Sequence, residues 1–103
     1  MELKDTVALM ESTDFKDRFK GEYYQTKIRY EKLHAMIVKY EAGTLNFEPK
    51  CSIELLKEQS AAIGKYLYML EVRATIEGVE LLERVIVMTT RKYRKKPVGN
   101  ISE

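Results

Sequence analysis

The stretch FKDRFKGEYYQTKIRYEKLHAMIVKYEA, Phe15 to Ala42, decides the fold. Phe15, Phe19, Tyr23, Thr26, Tyr30, Leu33, Ile37 and Tyr40 follow one another at steps of three and four residues. Only a helix returns side chains to one face at that period. Ser12-Thr13-Asp14 stand before it, residue types whose side-chain oxygens accept the orphan amide protons of a helix start. Gly43 follows where the left-handed terminus of a helix favours glycine. The spacing therefore predicts one helix of about 28 residues, roughly 42 Å at 1.5 Å per residue.

A partner follows downstream. Thr44 to Cys51 contains Asn46 and Pro49 and reads as a loop, and Ser52 then caps a second helix with Glu54 in its first turn. Ile53, Leu56, Ser60, Ile63, Leu67, Leu70 and Ala74 repeat the same alternating steps, so a loop this short predicts an antiparallel hairpin. Upstream, Leu3, Val7 and Met10 mark a short helix over Glu2 to Glu11. Gly78 interrupts the second long helix. From Glu80 to Thr90, Leu81, Val85 and Met88 fit a helix, while the β-branched run Val85-Ile86-Val87 and Thr89-Thr90 favour a strand. The expected class is all-α: a short N-terminal helix and a long antiparallel hairpin, with a short C-terminal strand or helix extension. Residues 1–90 form the oligomerising hairpin domain and residues 91–103 a basic, flexible tail.

Composition narrows the function. The chain has 103 residues, 45% hydrophobic and 33% charged, with a net charge of +2, which describes one folded domain and no polycation. Met1-Glu2-Leu3-Lys4-Asp5 has no apolar run behind it, and no 18-residue apolar stretch occurs, so neither a signal peptide nor a membrane span is expected. A single cysteine, Cys51, fits a reducing compartment, and the expected location is the cytosol.

No catalytic constellation emerges. His34 is the only histidine, and it sits beside the seam residue Leu33. Cys51 has no histidine near it in sequence, and neither a metal-ligand cluster nor a glycine-rich phosphate loop occurs. The expectation is a binding protein with no cofactor and no metal. Its second helix carries a further apolar stripe beside the seam, Leu55, Ala62, Tyr66, Met69 and Ile76, and the first helix has Tyr24, Ile28 and Met36 off its own seam. Two helices cannot bury both sets, which predicts self-association.

Arg73 falls on that second stripe, between Met69 and Ile76. It either packs its stem on apolar neighbours and meets Glu71 or Glu77, or it points at a bound anion across an oligomer interface. Two basic features stand apart. Arg91-Lys92-Tyr93-Arg94-Lys95-Lys96 is a solvated terminus or a contact for nucleic-acid phosphates. Phe15-Lys16-Asp17-Arg18-Phe19 puts aromatic rings and a guanidinium within one turn, with Lys20, Lys27, Arg29 and Lys32 following. A π-face beside cations is core plus solvated surface by periodicity, and is also what a nucleotide pocket requires.

Phe15-x-x-Arg18-Phe19-x-x-Glu22, Lys32-Leu33, Met36-Ile37, Leu55-Leu56-x-x-Gln59, Ala61-Ala62-Ile63, Tyr66, Leu70 and Arg73, over roughly residues 1–78, resemble the phage anti-CBASS cyclic-nucleotide sponges, a family of small helical-hairpin proteins. The resemblance implies a homohexamer that binds cyclic oligonucleotide immune signals without cleaving them. It implies cyclic dinucleotides between protomer pairs, with Phe15 as the stacking aromatic and Arg29 or Lys32 on phosphate. It also implies cyclic trinucleotides where three protomers meet, held by Arg73. Two positions depart from the family pattern. Phe15 stands where relatives often carry tyrosine, and Glu77, one turn after Arg73, stands where a small hydroxyl residue is expected. The ligand-binding candidates are thus Phe15, Arg18, Arg29, Lys32 and Arg73. A nucleic-acid-binding regulator using the basic tail and a structural coiled-coil adaptor are the other two readings.

Overall fold

In the computed structural model, residues 1–81 are described, and they build an all-α hairpin with a short helix laid across one end. A 3-10 turn, Leu3–Asp5, leads into α1 (Thr6–Met10), followed by α2 (Phe15–Ala42) and α3 (Ile53–Glu77). The strand-or-helix reading beyond Leu81 and the basic run Arg91 to Lys96 lie outside the described residues.

Local chemistry sets the ends of both long helices. The Asp14 carboxylate accepts the Lys16 amide at 3.1 Å, and the Ser52 hydroxyl oxygen accepts that of Leu55 at 3.1 Å. Each cap offsets one unpaired donor and stabilises its helix by about 1 kcal/mol. Gly43 and Gly78 close the helices with φ of 78° and 74°, the left-handed region in which a Cβ would be strained. Past each glycine the chain turns back: the Thr44 amide donates to the Lys39 carbonyl, and the Val79 amide to that of Ala74. This is the Schellman arrangement, and at α3 it carries the usual apolar contact, with Val79 and Ala74 both buried.

Contacts between the helices run in opposite chain directions: Glu41 with Lys57, Tyr30 with Gly64, Tyr23 with Glu71, Phe19 with Arg73. The hairpin is antiparallel, as its short connection requires. Its seam is deepest at the α1 end, where Phe19, Tyr23, Tyr24, Leu67, Leu70, Ala74, Val79 and Leu81 form the core, flanked by Leu9, Tyr30 and Ile63. A side chain the size of Leu70, fully buried, stabilises by about 1.5–3 kcal/mol. The buried Tyr23 hydroxyl donates to Glu71 Oε2 at 2.7 Å, a charge-assisted bond that fixes the register of the hairpin.

The N-terminal segment departs from its expected form. It is a 3-10 turn and a short helix rather than one helix over residues 2–11, and the face it buries is different. Val7 and Met10 are exposed, whereas Thr6 is fully buried and Leu9 packs on the core. The Thr6 hydroxyl donates to the Leu3 carbonyl at 2.7 Å, so its burial leaves no unsatisfied polar group. Glycine at position 21 makes the close approach feasible, because a Cβ there would lie 2.6 Å from Met10 Cγ and 3.0 Å from the Met10 amide nitrogen. Tyr24, off the α2 seam, is therefore buried by its own chain. The second stripe of α3 is not: Leu55, Tyr66, Met69 and Ile76 are exposed, with Tyr68 and Val72 beside them.

Candidate functional site

Phe15 is the first residue of α2, held by a network centred on Ser12. The Ser12 hydroxyl accepts the Asp14 amide at 3.0 Å and donates to Asp17 Oδ2 at 2.9 Å, while its carbonyl accepts Arg18 Nη1 at 3.0 Å. Arg18 thus braces the α1–α2 turn. Phe15 remains 47% exposed, and its ring meets that of Phe19 edge-on, with centroids 6.1 Å apart and planes 62° from parallel.

Phe19 carries Arg73 on its ring, the guanidinium carbon lying 5.0 Å from the centroid. Sequence periodicity marked Phe19 only as a seam residue. Its role as the plate beneath Arg73 comes from the crossing of α2 over α3. Arg73 Nε also donates to Glu77 Oε2 at 3.0 Å, one turn later, and Nη2 reaches Glu77 Oε1 at 3.5 Å. The hydrogen bond to Glu77 holds the guanidinium pKa above its ordinary value, and the more distant Glu22 adds to the effect. Of the two carboxylates weighed for Arg73, Glu77 is the partner, and Glu71 is engaged by Tyr23.

The structure therefore gathers Phe15, Arg18, Phe19 and Arg73 at one end of the hairpin. Arg29 and Lys32 lie elsewhere. Arg29 is fourteen residues after Phe15, about 21 Å along the helix. It is exposed, as is Lys32. No single nucleotide can stack on Phe15 and meet Arg29 of the same chain. Lys32 borders two surface grooves, one with Met1, Leu3 and Ile28, the other with Met36, Lys39 and Phe47. Lys39 and Phe47 were not legible as candidates, because nothing in the spacing shows that the loop folds over the helix end.

The residues set aside on sequence are unremarkable here. His34 stacks on Tyr30 at 6.0 Å with near-parallel planes and is exposed. Cys51 is exposed. Among the described residues no group of three or more His, Cys, Asp or Glu could hold a metal ion, and no helix is long and apolar enough to cross a membrane.

No curated protein and no solved structure matches the chain. One family model does, over residues 13–76, from the Ser12 turn to the end of α3. That span contains the hairpin and all five candidate residues, Phe15, Arg18, Arg29, Lys32 and Arg73. The family is described as Sequestin, a name that denotes sequestration, and with more than half of its length matched the chain belongs to the Sequestin family.

Proposed function

We propose that the protein is a non-catalytic sponge that binds cyclic oligonucleotide immune signals in the host cytosol and so blocks anti-phage defence. Sequestration needs affinity and copy number and no turnover, which accords with a family named for it. The observation that carries the reading is the aromatic–guanidinium edge at the start of α2. Phe15 offers a half-exposed ring for a base, braced from behind by Phe19. Arg29 and Lys32 of a second copy supply phosphate contacts, and Arg18 lines the approach to Phe15.

Self-association is part of the proposal. The exposed stripe of α3 runs from Leu55 to Ile76, which is 76% exposed, and an apolar surface of that length supports a contact between copies. The assembly is a homohexamer. Cyclic trinucleotides are the second ligand class: around a threefold axis, three copies of Arg73 face three phosphates. Their phosphates must displace Glu77, which already pairs with Arg73.

The test is a thermal-shift series with cyclic dinucleotides, cyclic trinucleotides and cyclic ADP-ribose isomers, since a ligand that binds only the folded state raises Tm by mass action. A shift with a cyclic dinucleotide that Phe15→Ala weakens by about 1–3 kcal/mol, the worth of one aromatic–base stack, is the expected result. Silence across all cyclic oligonucleotides sinks the proposal. A shift confined to the ADP-ribose isomers replaces its ligand class.

A further inference from the structure

We propose that the turn end of the hairpin holds a second ligand site, built from Lys32, Lys39 and Phe47, for a nucleoside diphosphate. It lies at the opposite end of α2 from Phe15, which is about 36 Å from Lys39 along the helix. Nothing in the sponge reading uses Lys39 or Phe47.

The geometry begins with the cap of α2. The amides of Thr44 and Leu45 both donate to the Lys39 carbonyl, at 2.9 and 3.2 Å, and this fixes the loop back over the helix end. A groove of about 570 Å³ results, with Met36 and Leu45 among its apolar lining and Lys32, Lys39 and Phe47 around it. That volume falls within the range of small-molecule sites, roughly 300–1,000 Å³.

Of the three named side chains, the sponge reading uses only Lys32, and there in a contact between copies. Lys27 and Lys57 pair with Glu31 and Glu41, but among the described residues neither Lys32 nor Lys39 has an ion-pair partner. No carboxylate lines the groove. Seven residues apart, the two lysines share a helix face about 10.5 Å apart at Cα, each on a flexible stem able to converge on one diphosphate. Phe47 is 55% exposed and has no aromatic partner among the described residues, so its ring is available to stack on a base. The negative end of the α2 dipole opposes an anion here. Hydrogen bonds to the Lys39 carbonyl and the two ammonium groups counter it. A groove lined by two cations, an exposed ring and apolar side chains, with no carboxylate among its lining, matches a base joined to two phosphates better than it matches an apolar peptide.

The experiment is calorimetric titration of the full chain with ADP, with adenosine and inorganic pyrophosphate as the two halves of the probe. ADP should bind more tightly than either half. Phe47→Ala should weaken ADP binding roughly five- to 150-fold, the loss of one stack, and leave pyrophosphate binding unchanged. Lys39→Glu should weaken both and flatten the salt dependence. Both positions are exposed, so circular dichroism should show the helices intact. Absence of ADP binding to the wild type, or ADP binding unchanged in both variants, overturns the proposal. Phe15→Ala separates the two sites: it should spare ADP while weakening the cyclic dinucleotide. A cyclic dinucleotide that fails on a chain whose ADP binding depends on Phe47 removes the sponge reading alone.

Discussion

Replacing Gly21 by alanine sets two opposing effects against each other at one atom. In a helix interior alanine is favoured over glycine by about 1 kcal/mol, so propensity alone predicts stabilisation. Position 21 is buried beneath α1, however, and the new Cβ would sit 2.6 Å from Met10 Cγ, 3.0 Å from the Met10 amide nitrogen and 3.1 Å from Leu9 Cβ. Two of these three atoms belong to the α1 backbone or are fixed by it, so rotating the methionine does not relieve the contact. Overpacking of this kind costs about 1–3 kcal/mol, which leaves a net loss of roughly 0–2 kcal/mol. Because α1 has five residues, the cheapest relief is for it to lift from α2. Urea unfolding should show the lowered stability. Hydrogen exchange should show that the Glu11 and Ser12 amides, bonded to Val7 and Leu9, lose protection while α2 and α3 keep theirs. The control is Gly64→Ala, where the atoms nearest a new Cβ belong to Tyr30, the first at 3.4 Å, an ordinary contact, and propensity should win by up to about 1 kcal/mol. Since the Ser12 turn positions Phe15, Gly21→Ala should also weaken ligand binding with no ligand contact altered. A Gly21→Ala protein that gains about 1 kcal/mol with unchanged exchange would refute the packing argument.

Other substitutions probe the remaining contacts. Tyr23→Phe removes the hydroxyl that donates to Glu71 and should cost about 1.5–3 kcal/mol in urea unfolding; no loss would show that Glu71 is equally well served by water. Glu77→Gln frees Arg73 while keeping the side chain's shape, so trinucleotide affinity should rise and dinucleotide affinity stay level; unchanged affinity for both would show that Arg73 meets no phosphate. Met69→Glu places a charge in the exposed stripe of α3 and should shift the proposed oligomer toward monomer in light scattering, with the helical signal intact; an oligomeric mass equal to that of the wild type would place the contact between copies elsewhere, and a monomeric wild type would remove it.

In the proposed sponge, assembly and site are linked through the length of the hairpin. Phe15 and Arg29 of one chain are too far apart along α2 to share a nucleotide, so a pocket using both depends on how copies pack. A variant that only disperses the proposed oligomer should then lose ligand binding even with every candidate residue in place.

Periodicity and caps were sufficient to specify the all-α hairpin, because both are local. The three-and-four spacing from Phe15 to Tyr40 and from Ile53 to Ala74, Asp14 and Ser52 at the starts, and Gly43 and Gly78 at the ends each act through neighbours within a turn or two. The exposed apolar stripe of α3 was legible for the same reason. What depended on residues distant in sequence was not. Tyr23 and Glu71 are separated by 48 positions, and their hydrogen bond exists only once the register of the hairpin is set. Arg73 lies at the border of the seam and the stripe; periodicity gives its Cα, but a long side chain can turn either way, and the Phe19 ring and the Glu77 carboxylate decided its direction. Thr6 and Leu9, rather than Val7 and Met10, face the core because Gly21 admits α1 at one particular angle. Val79 and Leu81 joined the core because the left-handed glycine at 78 returns the chain onto Ala74. The groove between Lys39 and Phe47 is likewise a product of a loop folding over a helix end. Helix phase is a property of the chain, whereas the destination of a flexible side chain or a loop is a property of what lies opposite.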